Sequence, residues 1–173
     1  MSTPTTLTGE RADLLEALGA HRHFLRYTVQ GLTEEQARLR PTASELTLGG
    51  LVKHVASQEA GWVDFIVQGP AAMASATDPE QMATWAEEFL LGPDETLDGV
   101  LAHYEAVAHR TDDVVRTVPD LDASHPLPEA PWFEPGATRS ARRVFLHIVA
   151  ETAQHAGHAD ILRETLDGQK TMG

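Results

Sequence analysis

The sequence predicts an all-α fold, a four-helix bundle, on three observations. Apolar residues recur at three- and four-residue spacing over long stretches, period-2 alternation is nearly absent, and Gly or Pro separates four helical segments of similar length. The chain has 173 residues and 18.8 kDa, enough for one domain with its own core. We therefore expect a single domain over residues 1–173, with residues 1–7 as a flexible lead.

The first helix is expected over residues 8–30, with Leu14, Leu15, Leu18, Leu25 and Val29 on its apolar face and Gly31 as its stop. Thr33 and Gln36 form a capping-box pattern that opens a helical turn over residues 33–39, closed by Pro41. The second long helix is expected over residues 47–68, where Leu48, Leu51, Val52, Val55, Trp62, Phe65 and Ile66 share a side and Gly69-Pro70 ends it. Residues 70–92 read as a loop holding one short helix, with Asp78 as N-cap, Pro79 at the first position and Gln81 two residues on. A third long helix is expected over residues 94–118, ended by Pro119, with Leu97, Val100, Leu101, Tyr104, Val107, Val114 and Val115 as its stripe. Residues 119–139 carry five prolines, Trp132 and Phe133, and read as a long irregular crossover. A compact domain keeps such a crossover for a reason; Trp132-Phe133 would either lid a site or pin the loop to the core. The fourth helix is expected over residues 140–167, before Gly168.

Charge and composition exclude several functions. Thirteen Lys and Arg against 26 Asp and Glu give a formal charge of −13 and a pI near 5.0, which disfavours nucleic acid and anionic membrane surfaces as partners. Cysteine is absent, removing disulfides, thiolate nucleophiles and cysteine-held metals; any thiol chemistry must use a thiol from elsewhere. With no signal-like N-terminus and no apolar run long enough to span a bilayer, a cytoplasmic location is expected. No Gly-rich phosphate loop, Gly-x-Ser-x-Gly elbow, His-Glu-x-x-His or paired Glu-x-x-His is present.

Nine histidines stand out, and helical position separates them. On the fourth helix Val144, Ile148, Leu162 and Leu166 define a stripe within roughly 40°, into which His155 falls, with Glu151 about 40° away at its edge. A carboxylate set against apolar neighbours must neutralise, pair or coordinate a cation, and a histidine one turn on is placed to share that cation. A mutual hydrogen bond or a partly solvated face would produce the same spacing, as an internal control shows. Glu105 and His109 repeat it on the third helix but sit roughly 120° from that helix's stripe, beside Asp112 and Asp113, as a solvated pair would. His54, at the margin of the second helix's apolar face near Gln58, Gly61 and Phe65, is the candidate third ligand. His147 and His158 flank the Glu/His pair on its more polar side, as a fourth ligand, a partner behind the ligands, or surface residues.

Three segments then carry a resemblance: Gly31-Leu32-Thr33-Glu34-Glu35-Gln36 with Arg40-Pro41; Leu46-Thr47-Leu48-Gly49-Gly50-Leu51-Val52-Lys53-His54; and Glu151-Thr152-Ala153-Gln154-His155-Ala156-Gly157-His158-Ala159-Asp160. Over most of its length the chain resembles the DinB superfamily of four-helix-bundle metalloenzymes, in the actinobacterial branch similar to the metal-binding domain of mycothiol-dependent maleylpyruvate isomerase. The resemblance implies a metal held by His54, Glu151 and His155, with Glu151 standing where many members have a third histidine. It implies a thiol-dependent transferase in which mycothiol or bacillithiol attacks a small electrophile, its thiolate stabilised by the divalent ion at an open coordination position. The isomerase's additional C-terminal domain has no counterpart here, so its isomerase activity is not carried over. Zinc or nickel is the expected metal; iron(II) also accepts two histidines and a carboxylate. The resemblance also implies a homodimer. A different class of reading is a non-catalytic, stress-associated metal-binding bundle in which the ion braces the second and fourth helices.

Overall fold

The computed structural model describes residue 7, residues 9–73 and residues 87–172. The short helix expected after Asp78 and most of the expected N-terminal lead lie outside the described residues. The chain is mostly helical: α1 (Glu10–Tyr27), α2 (Glu34–Arg38), α3 (Leu48–Gln68), α4 (Leu97–Thr117) and α5 (Ala141–Asp167), with a 3-10 turn at Pro70–Ala72 after α3. Among the described residues no helix is long and apolar enough to cross a membrane.

Caps set the helix ends. Thr47, Thr96 and Ser140 are extended, and each accepts a hydrogen bond from the backbone N–H three residues on, satisfying one of the donors a helix start leaves free. Thr96 is why α4 opens at Leu97 rather than near Asp94. Both arms of the expected capping box form: Gln36 N donates to Thr33 Oγ1 (3.2 Å) and Thr33 N to Gln36 Oε1 (2.9 Å). Gly168 takes φ 82°, the left-handed conformation that ends α5. The first helix is shorter than its apolar pattern, running from Glu10 after Gly9 and ending at Tyr27.

The crossover differs from its expected irregular form. Strands β1 (Ser124–Pro126) and β2 (Thr138–Ser140) pair antiparallel, with His125 opposite Arg139. Three-residue strands are too short for an alternating pattern to show, and Pro126 obscures the signal further.

The four long helices pack in a ring: α1 touches α4 and α5, and α3 touches the same two. The core divides into two apolar clusters. One includes Leu25, Leu51, Val55, Tyr104 and Leu162; the other includes Leu18, Trp62, Phe65, Val115 and Phe145. Between them on each helix comes a polar residue: Arg22, Glu59, Thr111 and Thr152 are all buried. Arg22 Nε donates to Glu59 Oε2 (3.2 Å), its Nη2 donates to Glu59 Oε1, and its Nη1 donates to Asp112 (2.8 Å). This fork is the geometry that makes a buried pair tolerable.

Two glycines position the site. A Cβ on Gly50 would overlap the Phe89 carbonyl, and one on Gly49 would collide with the Leu91 side chain. Their absence lets the segment before α4 lie directly on α3. Arg38 fixes that segment by donating to the carbonyls of Leu91 (2.8 Å), Gly92 (3.1 Å) and Glu95, and Lys53 donates to Leu90 O (3.1 Å) and Glu95 Oε2 (2.7 Å). Glu88 and Phe89 are thereby held beside His54.

Candidate metal centre

His54 projects from α3, and Glu151 and His155 project from α5. Glu151 Oε1 lies 3.1 Å from His155 Nε2 and 3.4 Å from His54 Nε2. The three ligand atoms are within 4.8 Å of one another. Both histidines are buried and Glu151 is half-buried. The structure thus brings together the three residues picked out by helical position, from helices that are neighbours in the ring.

The donor set fits a divalent transition ion. Ligands at about 2.1 Å in a tetrahedral arrangement stand about 3.4 Å apart, close to the carboxylate–imidazole separations seen here. Each imidazole turns Nε2 toward Glu151 and occupies its other nitrogen elsewhere. His54 Nδ1–H donates to Glu88 Oε2 (3.3 Å), and the Nδ1 atoms of His155 and His158 share a 3.4 Å contact. Such outer partners fix the ring's tautomer and aim. Phe89 stacks on His54 with centroids 4.0 Å apart.

The electrostatics suit a cation. Hydrogen bonds from His155 and His54 hold the Glu151 carboxyl well below the usual carboxylate range, against the opposing effect of burial. Burial works against a charge on His54, but Glu151 and Glu88 outweigh it and raise the imidazole above its ordinary value. Two carboxylates around one buried ring form a negative pocket in which a bound cation would replace the proton.

The internal control behaves as expected. Glu105 and His109 also pair, at 2.9 Å, but their side chains are 49% and 74% exposed, and no third donor joins them among the described residues. His158 stands behind His155. His147 packs its ring on Trp62, centroids 4.7 Å apart, rather than joining the donor group.

A cavity of about 490 Å³ opens beside His54, lined also by Gln58, Trp62, Glu88, Phe89 and Phe133. Trp132 and Phe133 of the crossover do face the site region, as wall residues of this cavity. Helical position did not point to Glu88 and Phe89: they belong to no periodic stripe, and the Gly49-Gly50 pair was the available sign that a backbone crosses α3 at that level.

A comparison with curated proteins finds no match to the sequence. Among solved structures, the fold is similar to that of a conserved protein from Enterococcus faecalis, with a TM-score of 0.65 and 15% identity over 94% of this chain and 100% of that one. At that identity the likeness concerns the fold alone. The Mycothiol-S-transferase family profile matches residues 13–168, a span that takes in α2, the Gly49-Gly50 contact and every residue of the donor group. The chain belongs to the mycothiol-S-transferase family, and with it to the DinB-like superfamily.

Proposed function

We propose that this protein is a metal-dependent S-transferase that joins a low-molecular-weight thiol of the mycothiol or bacillithiol type to a small electrophile. Its ligands are His54, Glu151 and His155, carried on a single-domain DinB-type four-helix bundle. The observation that carries the reading is the convergence of three donors, with nitrogen and oxygen ligand atoms only, beside an open cavity. A bracing ion would need a closed shell; three protein ligands at a cavity leave room for an exchangeable fourth.

When bound, the divalent ion supplies a Lewis acid that lowers the pKa of an incoming thiol toward neutrality. The chain's residues do the rest. Glu151 contributes the negative charge that retains the cation, and the two Nε2 atoms complete the donor set. Glu88, Phe89 and His158 hold the imidazoles in place. Trp62, Phe89 and Phe133 line the cavity with apolar surface, which excludes water from the nucleophile and accepts an apolar electrophile. With no cysteine in the chain, the attacking sulfur is the cosubstrate's own. The new bond is thiol sulfur to substrate carbon, with the thiol proton released and the leaving group, where there is one, departing with its electron pair.

Zinc or nickel suits two imidazoles and one carboxylate, and iron(II) accepts the same donors. The proposal extends to a homodimer, as the resemblance implies, and to the cytoplasmic location expected from the sequence.

The test is thiol transfer by protein loaded with zinc or nickel, using mycothiol, bacillithiol and an activated aryl halide. Turnover is expected to require both metal and thiol, and to vanish with chelator and in His155→Ala. Turnover without thiol, or metal-loaded protein inert toward both thiols and a panel of epoxides, aryl halides and maleyl compounds, would return the site to a bracing role.

A further inference from the structure

The crossover hairpin supplies one wall of the cavity. Leu127 N donates to Ala137 O (2.8 Å), extending the β1–β2 ladder by one pair, and the loop closed in this way brings Pro128, Ala130, Trp132 and Phe133 to the cavity. From α3 the lining residues include His54, Gln58 and Trp62. The base of the hairpin rests on the end of α3. There the His125 ring meets Phe65 edge-on, with centroids 5.6 Å apart, and His125 Nε2 lies 3.3 Å from Ile66 O.

Arg139, opposite His125 in the ladder, ties the loop to the helix a second time. Its guanidinium lies 4.7 Å from the Trp62 ring centroid and 5.4 Å from that of Phe133. Both rings line the cavity and Arg139 does not, so the cation stands behind the wall. Its Nη1 is buried without a hydrogen-bond partner among the described residues. Burial, with the Arg143 charge adding to it, pushes the guanidinium below its ordinary value. What meets the cation instead is aromatic surface, which attracts a positive charge within about 6 Å and on which a planar guanidinium stacks as an ammonium does not. The two rings are not held equally. Trp62 is 5% exposed and packs against Phe65 and His147, with centroids 5.7 and 4.7 Å away. Phe133 is only partly buried, on a loop. Trp62 is therefore the fixed jaw, and Phe133 is the ring whose place depends on Arg139.

We propose that Arg139 is a positioning residue for the electrophile: from behind the cavity wall it clamps Phe133 to Trp62 and so preforms the apolar end that receives the electrophile's body. Trp62 stands eight residues along α3 from His54, about 12 Å of helix. The electrophile that fits is one whose apolar part is the size of one or two rings. A preformed wall binds such a body without the cost of ordering a loop around it. The electrophile comes from the proposed S-transferase reading, but the clamp acts on binding and is measurable without turnover.

The experiment titrates N-phenyl-1-naphthylamine, an uncharged apolar fluorophore, into the full chain and reads its emission. Arg139→Gln should weaken binding by about three- to tenfold, the scale of a lost cation–π contact or two. Arg139→Lys keeps the charge without the planar face and should fall between, so it reads the clamp even if Arg139→Gln disturbs the packing. Phe133→Ala should match Arg139→Gln, and the double variant should be no weaker than Phe133→Ala alone, because the arginine acts through that ring. Metal affinity should stay at the wild-type value in all four. In turnover, Arg139→Gln should raise KM for chlorodinitrobenzene by a similar factor and leave kcat and the thiol's KM in place. A wild-type chain that does not bind the fluorophore, undiminished binding in Arg139→Gln, additive losses in the double variant, or a fall in kcat with KM unchanged would overturn the assignment. A chain that shows the binding pattern but transfers no thiol would count against the S-transferase reading alone.

Discussion

Glu88 Oε2 lies 3.3 Å from Nδ1 of His54, which fixes the proton on that nitrogen and leaves Nε2 facing Glu151. The contact joins a helix residue to a segment that no helical pattern describes. Its role is to aim a ligand. Replacing Glu88 by Gln keeps the side chain's size but removes the charge that orients and polarises the ring. Metal affinity should fall by about 10- to 100-fold, the usual cost of losing a partner behind a ligand. Competition with a chromophoric chelator measures it; an unchanged affinity would show that His54 needs no support from this side.

Gly50 tests the same relationship from the backbone. Its missing side chain lets the Phe89 carbonyl approach α3, so Gly50→Ala should push residues 88–90 away from His54. Overpacking of this kind costs about 1–3 kcal/mol, which urea unfolding reads directly. The variant should also bind metal more weakly than wild type, whereas Gly157→Ala, where nothing lies within 4 Å of the added carbon, should leave metal binding unchanged and raise stability by about 0.5–1 kcal/mol, the helix-interior gain of Ala over Gly.

The buried Arg22–Glu59 pair predicts a non-additive result. Glu59 is 1% exposed and Arg22 6%, so removing Arg22 strands the Glu59 charge in the core, and removing Glu59 leaves Arg22 with Asp112 as its one carboxylate partner among the described residues. Arg22→Met and Glu59→Leu should each destabilise the protein by about 3–5 kcal/mol. The double variant, which strands no charge on Glu59 or Arg22, should be far less damaged. A double-mutant cycle by denaturant unfolding checks the coupling; additive losses would mean that the pair is not an energetic unit.

How far the sequence could be read follows from these cases. Thr33 with Gln36 and Gly168 act through their immediate neighbours, so the capping box and the helix stop were visible in the chain, whereas Thr47 and Ser140 read as first helical residues and are the caps just before them. His155 and Glu151 were separated from His109 and Glu105 by helical position alone, because burial on a helix follows its period. Arg22 and Glu59 were not visible in this way, since a buried ion pair resembles two ordinary polar-face residues until the partner helix is in place. Glu88 and Phe89 owe their position to a close backbone approach at Gly50. Residues brought to a site by loops leave no periodic trace.

The central claim is that His54, Glu151 and His155 hold one divalent transition ion, and metal stoichiometry tests it most directly. Protein purified without chelator or metal-affinity resin, then analysed by elemental mass spectrometry and zinc and nickel titration, should bind about one ion per chain. His155→Ala should bind none, Glu151→Gln should bind much more weakly, and His109→Ala should match wild type, because the His109 pair is exposed and lacks a third donor. Equal metal content in the His155 and His109 variants, or Glu151→Gln near wild type while His158→Ala loses the ion, would contradict the assignment.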